Sequence, residues 1–243
     1  MRLSVTYKVE RIPIDYRLVV LSLLKEALCL SDERYCNKLY EENAGSMKPF
    51  STAVYLKDFS YLEHEIQLSS LTITISSFDM EFMLHIFNGL QRLNTYKTAG
   101  ETWRRISIQM LKEAQIQGRQ VYFSTLSPIL IEDKLGKPVH PDDPSYVTEF
   151  GYYAALRIQE LTGREPHEAI KIEPLAMKKT VIRESNSVFR QRSDSENKYL
   201  YFTAYRGQLK LSGHPEDLQL LYQSGVGKRA SQSFGLLEYI REE

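Results

Sequence analysis

The stretch Ser224-Gly-Val-Gly-Lys-Arg-Ala-Ser-Gln-Ser-Phe-Gly235 gathers the residue types an anion site needs. Glycines let a backbone fold so that several N–H groups converge on one anion, and Lys228 and Arg229 add positive charge beside them. As a string, Gly225-Val-Gly227-Lys-Arg-Ala230 fits the start of a dinucleotide fingerprint. That fingerprint follows a strand and opens a helix, whereas here a helical pattern comes before and a strand pattern after. A triphosphatase phosphate loop is excluded too. Tyr222 stands at the place of its first glycine, and Arg229 replaces the Ser or Thr after its lysine. A glycine-rich turn joining two elements is the alternative reading.

Other reactive side chains form no pattern by spacing. Cys29 and Cys36 have no second Cys or His pair at ligand spacing, so no metal site is expected. They are also too few and too close for a disulfide framework, which fits a reducing cytoplasm. His64, His85, His140 and His214 read as surface or capping residues, and His167 lies in a loop with no visible partner.

The elements that must carry these residues come from periodicity. Leu3, Val5, Tyr7 and Val9 alternate as a strand, and Pro13 and Asp15 open a helix with Leu18, Leu21, Leu24 and Leu28 on one face. Ser31 begins a second, more polar helical piece ending near Gly45, and Lys48-Pro-Phe50 leads into a strand through Tyr55. Leu71 to Ser76 is a strand, Asp79 caps a helix bearing Phe82, Met83, Ile86 and Leu90, and Ile106 to Ala114 starts with strand alternation. The second half repeats the order. Val121 to Leu126 is a strand, and Asp143 and Pro144 start a helix that stops at Gly163. Strands at Ala169 to Met177 and Lys198 to Leu211, a helix from Pro215 and a closing strand from Phe234 to Ile240 follow. The expected fold is α+β, two tandem ferredoxin-like domains over residues 1–117 and 118–243. Each has the size at which such a unit folds alone.

The 243 residues carry 42% hydrophobic and 26% charged residues, enough for a real core. No apolar run reaches the length of a membrane span, and no signal peptide is visible. Net charge is zero, which argues against a protein that coats nucleic acid nonspecifically and leaves room for a local basic groove. Lys178 to Lys210 is such a region, with eight Lys or Arg against three acidic residues. Tyr199, Tyr201 and Tyr205 share one face there, to stack bases or, the favoured reading, to pack on a helix.

Three stretches together resemble a known family. They are the helix pair running into Lys48-Pro-Phe50, the strand ending Ser124-Thr-Leu-Ser-Pro128-Ile129, and the Gly225 to Gly235 loop between the last helix and last strand. The chain resembles the CRISPR-associated endoribonucleases that process repeat RNA, the sixth CRISPR-associated family, within the repeat-associated mysterious protein superfamily. Ser233 stands where a further glycine is common in that family's loop.

The resemblance implies a metal-free reaction without cofactors. The ribose 2′-OH attacks the adjacent phosphate, leaving a 2′,3′-cyclic phosphate and a 5′-OH. In many members a histidine of the second helical piece moves protons, helped by a lysine and often a tyrosine. Here Tyr40 stands at the histidine's place beside Lys38, Lys48 is the lysine before the following strand, and Lys25 replaces the tyrosine of the first helix. Tyr titrates near 10, so such a site is expected to be slow. The implied RNA-binding residues are Gly225, Gly227, Lys228, Arg229, Ser231 and Gly235 of the loop, with Arg190 and Arg192 of the basic insertion. Repeat RNA is the expected partner, with a CRISPR effector complex and a homodimer as further candidates. A non-cleaving repeat-RNA binder of the same fold is the alternative, and an unrelated ferredoxin-like enzyme or sensor is the third reading.

Overall fold

The computed structural model describes residues 1–98, 100–185 and 199–243. Leu3, Val5 and Tyr7 of β1 (Arg2–Lys8) are fully buried, because strand alternation turns them all to one face. That face carries two helices, α1 (Tyr16–Ser31) and α3 (Met80–Arg92), whose apolar stripes complete the first core. The first sheet also contains β3 (Phe50–Lys57), β6 (Ser70–Ser77), β7 (Thr95–Thr98) and β8 (Glu101–Leu111), in the order β3-β6-β1-β8-β7. Without β7 this is the ferredoxin-like arrangement. A small second sheet of β2 (Arg11–Pro13), β4 (Ser60–Tyr61) and β5 (Glu65–Gln67) went unseen in the sequence.

Several local expectations are corrected. On α1 the buried stripe is Tyr16, Val20, Leu23, Leu24, Ala27 and Leu28, while Leu18 and Leu21 are half-buried. Ser31 ends α1, and Asp32 caps α2 (Glu33–Asn37) by accepting the Tyr35 N–H at 2.9 Å. A π-helical turn, Lys38–Glu42, continues it. The fold-back from α1 to α2 brings Cys29 and Cys36 to a Cα separation of 5.0 Å, and the two form a disulfide. The reading that set these cysteines aside as unpaired is thereby overturned.

The second half builds its own four-stranded sheet. Its order is β10 (Lys171–Ser185), β11 (Tyr199–Ser212), β9 (Gln120–Thr125), β12 (Leu237–Glu242). Helices α4 (Ser145–Thr162) and α5 (Pro215–Ser224) bury their apolar residues with Val121, Phe123, Leu209 and Leu211 in the second core. Thus the two ferredoxin-like units stand in tandem. α4 starts one residue later than expected, and the Asp143 carboxylate still caps it by accepting the Ser145 N–H at 2.9 Å. Gly163, at φ 73°, ends the helix. β12 starts at Leu237, not Phe234: the Phe234 carbonyl accepts from Ser51 of the first unit, and Gly235 and Leu236 bond to Val226 and to the turn after β9. The residues before β9 are tied to the second unit: Gln117 and Gly118 both donate N–H to Glu242 Oε2, at 3.0 and 2.7 Å. No helix among the described residues is long and apolar enough to cross a membrane.

Candidate functional site

All three sequence stretches that stood out meet where the two units join. Arg157, only 3% exposed, reaches out of α4 and donates to Ser224 Oγ (3.1 Å), to the Ser224 carbonyl, and to the Lys48 (3.3 Å) and Phe50 (3.5 Å) carbonyls. Burial lowers its pKa to about 10, so it stays charged at neutral pH. The glycine loop is fastened to the second stretch by its own backbone. Lys228 N–H donates to the Leu130 carbonyl and Gly235 N–H to the Pro128 carbonyl, at 3.0 and 2.8 Å. On the other side, Ser51 Oγ donates to the Phe234 carbonyl (3.3 Å), and Thr52 and Ser233 share a hydroxyl hydrogen bond at 2.9 Å. A second buried cation, Arg2, makes the parallel link, donating to the Tyr222 carbonyl at 3.1 Å and pairing with Glu238 at 2.8 Å.

The glycines serve this packing. Gly225 has φ 84°, and a Cβ there would lie 2.6 Å from Ser51 Oγ. Gly235 has φ 67°, and its Cβ would strike the Val226 carbonyl at 1.8 Å. The loop's N–H groups at Val226, Lys228 and Gly235 bond to protein carbonyls, so they do not form the open anion cradle that the residue types suggest.

Beside this junction lies a cleft of about 380 Å³. Lys48 and Met47 line it from the first unit, and Tyr153, Arg157, Gly227, Lys228, Arg229 and Ser231 from the second. Lys48 Nζ donates to the Leu39 (2.7 Å) and Asn43 (2.6 Å) carbonyls, which folds the polar loop back over the π turn. Burial holds the Lys48 amine below its ordinary pKa. Its ammonium lies 5.6 Å from the centre of the Tyr40 ring, and the Lys25 ammonium lies 5.3 Å from it. The Tyr40 hydroxyl is itself buried, without a hydrogen-bond partner among the described residues, and burial raises its pKa. What Tyr40 offers the lysines is a ring face. Lys38 is exposed on the π turn.

A model of the family described as CRISPR associated protein Cas6, C-terminal, matches residues 111–239, more than half of the chain. The chain belongs to the Cas6 family. Its members are CRISPR endoribonucleases concerned with repeat-RNA processing. No curated protein matches the chain in sequence. Among solved structures, it is similar to the product of a Cas6-related gene from Pyrococcus furiosus, with TM-score 0.81 and 20% identity over 100% of this chain and 99% of that one. It is also similar to a RAMP protein described as binding different RNA substrates, with TM-score 0.78 and 19% identity over 99% and 100% of the two chains. A Cas6 product complex matches with TM-score 0.68 and 13% identity over 98% and 99%. At these identities the likeness is one of fold.

Against this Cas6 frame the remaining sequence candidates scatter. Arg190 and Arg192 lie outside the described residues. Lys178, Lys179 and Arg206 line a shallow groove of about 490 Å³ with Ser124, Thr125 and Gly207. Lys210 is engaged by Glu173 at 2.8 Å. The three tyrosines separate: Tyr201 is 65% exposed, while Tyr205 is buried with its ring 5.1 Å from that of His140. Lys228 pairs with Glu132 at 2.5 Å, and exposed Arg229 lies over the Phe202 ring at 4.3 Å. Arg157 and Arg2 were missed. The signal for Arg157 was there, since a cation stands on an apolar helical stripe with Phe150, Ala154 and Ile158.

Proposed function

We propose that this chain is a cytoplasmic, metal-independent endoribonuclease that cuts CRISPR repeat RNA in the cleft between two domains divided near Gln117-Gly118. The reading rests on one observation: Lys48 of the first unit and Lys228 and Arg229 of the second line the same cleft. Phosphates of a single strand bind there through Lys228, Arg229 and Ser231. Gly225, Gly227 and Gly235 act by shaping the loop. At the scissile phosphate the 2′-oxygen forms a bond to phosphorus while the bond to the 5′-oxygen breaks. The 2′-OH proton leaves to solvent. The Lys48 ammonium, held by two carbonyls, stabilises the phosphorane and returns a proton to the 5′-oxygen. Lys25 adds a second cation, Tyr40 positions both lysines, and Lys38 has an auxiliary electrostatic role.

A second reading, an RNA-binding Cas6 that does not cut or that serves inside an effector complex, is favoured by the burial of the Tyr40 hydroxyl at the family histidine's place. Single-turnover reaction with repeat RNA in EDTA decides between them. Cleavage predicts a discrete product ending in a cyclic phosphate, and Lys48→Ala slows it by about 10²–10⁴ with little change in RNA affinity. RNA that is shifted but intact supports binding alone. Equal losses of rate and affinity in Lys48→Ala would remove Lys48 from the chemistry.

A further inference from the structure

The sequence leaves His167 in a loop with no partner and reads His214 as a capping residue. The structure brings the two together. His167 lies between α4 and β10, and His214 directly precedes α5. Their ring centroids are 4.3 Å apart with planes inclined at 47°, and His167 Nε2 is 3.0 Å from Glu216 Oε2. Ligand atoms of His167, His214 and Glu216 all lie within 4.8 Å of one another. We propose that these three residues form a binding site for one divalent transition-metal ion of the zinc class, which clamps the loop after α4 to the start of α5.

The surroundings are built for such a site. Asp217, fully buried, accepts the His167 backbone N–H at 2.7 Å and pairs with Arg164 at 2.7 Å. The loop that carries His167 is therefore fixed to the helix that carries Glu216. Pro215 separates the other two ligands and holds His214 in extended backbone, at φ −65° and ψ 136°. As N-cap residue His214 makes no side-chain capping bond, and its Nδ1 is buried without a hydrogen-bond partner among the described residues. The His167 and Glu216 side chains are 41% and 70% exposed, so an ion enters from solvent.

The ligand chemistry selects the ion. Two imidazoles and one carboxylate suit zinc and its neighbours, with water in the fourth place. Magnesium and calcium prefer oxygen ligands throughout. Ligand atoms around a tetrahedral ion with bonds of about 2.0–2.1 Å stand roughly 3.3 Å apart, so separations that all lie within 4.8 Å close by at most about 1.5 Å. The His167 Nε2–Glu216 Oε2 pair is already at 3.0 Å, within that geometry. None of the three residues lines the cleft, so the site stands apart from the cleavage chemistry proposed above.

Calorimetric titration of the chelator-treated full chain with Zn²⁺ tests the proposal. The expected result is one equivalent bound by the wild type, affinity at least about tenfold weaker in Glu216→Gln and in His167→Ala, and no heat with Mg²⁺. Zn²⁺ should also raise the thermal midpoint of the wild type and leave that of a His167→Ala/Glu216→Gln double variant unmoved. Equal metal-free melting curves for Glu216→Gln and wild type show that the variant is folded. Stoichiometric Zn²⁺ binding retained by the double variant would overturn the assignment, as would failure of the wild type to bind Zn²⁺.

Discussion

The loop of residues 225–235, one wall of the cleft through Gly227 to Gln232, is mostly buried and bonded on both sides, whereas the segment of residues 38–48, the other wall through Ala44 and Ser46 to Lys48, is largely exposed and held by few contacts. The first wall tolerates little. Three residues in it beyond the glycine positions of the motif face this constraint differently: Arg229 and Ser233 adopt positive φ, and Ala230 is buried. The second wall carries Lys48, the cation to which the proposal gives the chemistry. Packing therefore confines the residue choices of the loop, while the proposed chemistry falls where packing leaves the sequence free.

Breaking the buried wall should produce the largest effects. Arg157→Ala leaves the Ser224, Lys48 and Phe50 carbonyls without their shared donor. We expect a loss of about 3–5 kcal/mol, read as a fall in the urea unfolding midpoint. A loss below about 1 kcal/mol would show that the junction does not depend on this cation. Gly235→Ala comes next. It forces a Cβ into a left-handed backbone and to within 1.8 Å of the Val226 carbonyl, for an expected loss of about 2–4 kcal/mol. On the opposite wall, Lys38→Ala should change stability by no more than about 0.5 kcal/mol. Similar losses at Gly235 and Lys38 would erase the contrast.

The open wall is tested through pH. Solvent removal of the 2′-OH proton makes cleavage rise with pH by about tenfold per unit. The rise continues only while Lys48 stays protonated, and burial lowers its pKa, so the profile should level off below the ordinary lysine value. Above that point the loss of the ammonium cancels the gain from the 2′-oxyanion. Lys48→Arg keeps its charge throughout and should move the levelling to higher pH. An unmoved break would assign it to another group.

How much of this was legible follows from the same contrast. The alternation of β1, the Asp79 cap and the stripe of α3 were readable because each depends on neighbours a few residues away. The β7–β8 hairpin was only half readable. The alternation from Ile106 gave the later part of β8, but its start at Glu101 and its pairing with β7 were not visible, because Trp103 is the one buried residue of the strand. The cysteine pair depended on a fold-back between two helices. At the site, the loop and its two companion stretches were visible as motifs, but not their physical link through Arg157. The approach of Lys25 and Lys48 to one ring depends on the π turn, which has no simple periodic signature.

Ser233 offers the finest test of how the buried wall is balanced. Its φ of 62° is one that glycine adopts freely, which gives a physical reason for a glycine at this place in related loops. The serine is strained there but gains a hydroxyl partner in Thr52 at 2.9 Å. Removing the strain is worth up to about 1 kcal/mol, and losing one neutral hydrogen bond costs about the same. Ser233→Gly should therefore change stability by less than about 0.5 kcal/mol, which alone distinguishes nothing. Thr52→Val resolves it. In the wild type it should cost about 1 kcal/mol, and in the Ser233→Gly background, where only the long 3.5 Å bond to the Ser231 carbonyl remains, about half of that or less, so that the cycle yields a coupling of at least about 0.5 kcal/mol. With no coupling, Ser233 would be held by the surrounding backbone alone, and the hydroxyl pair would contribute nothing to closing the two units.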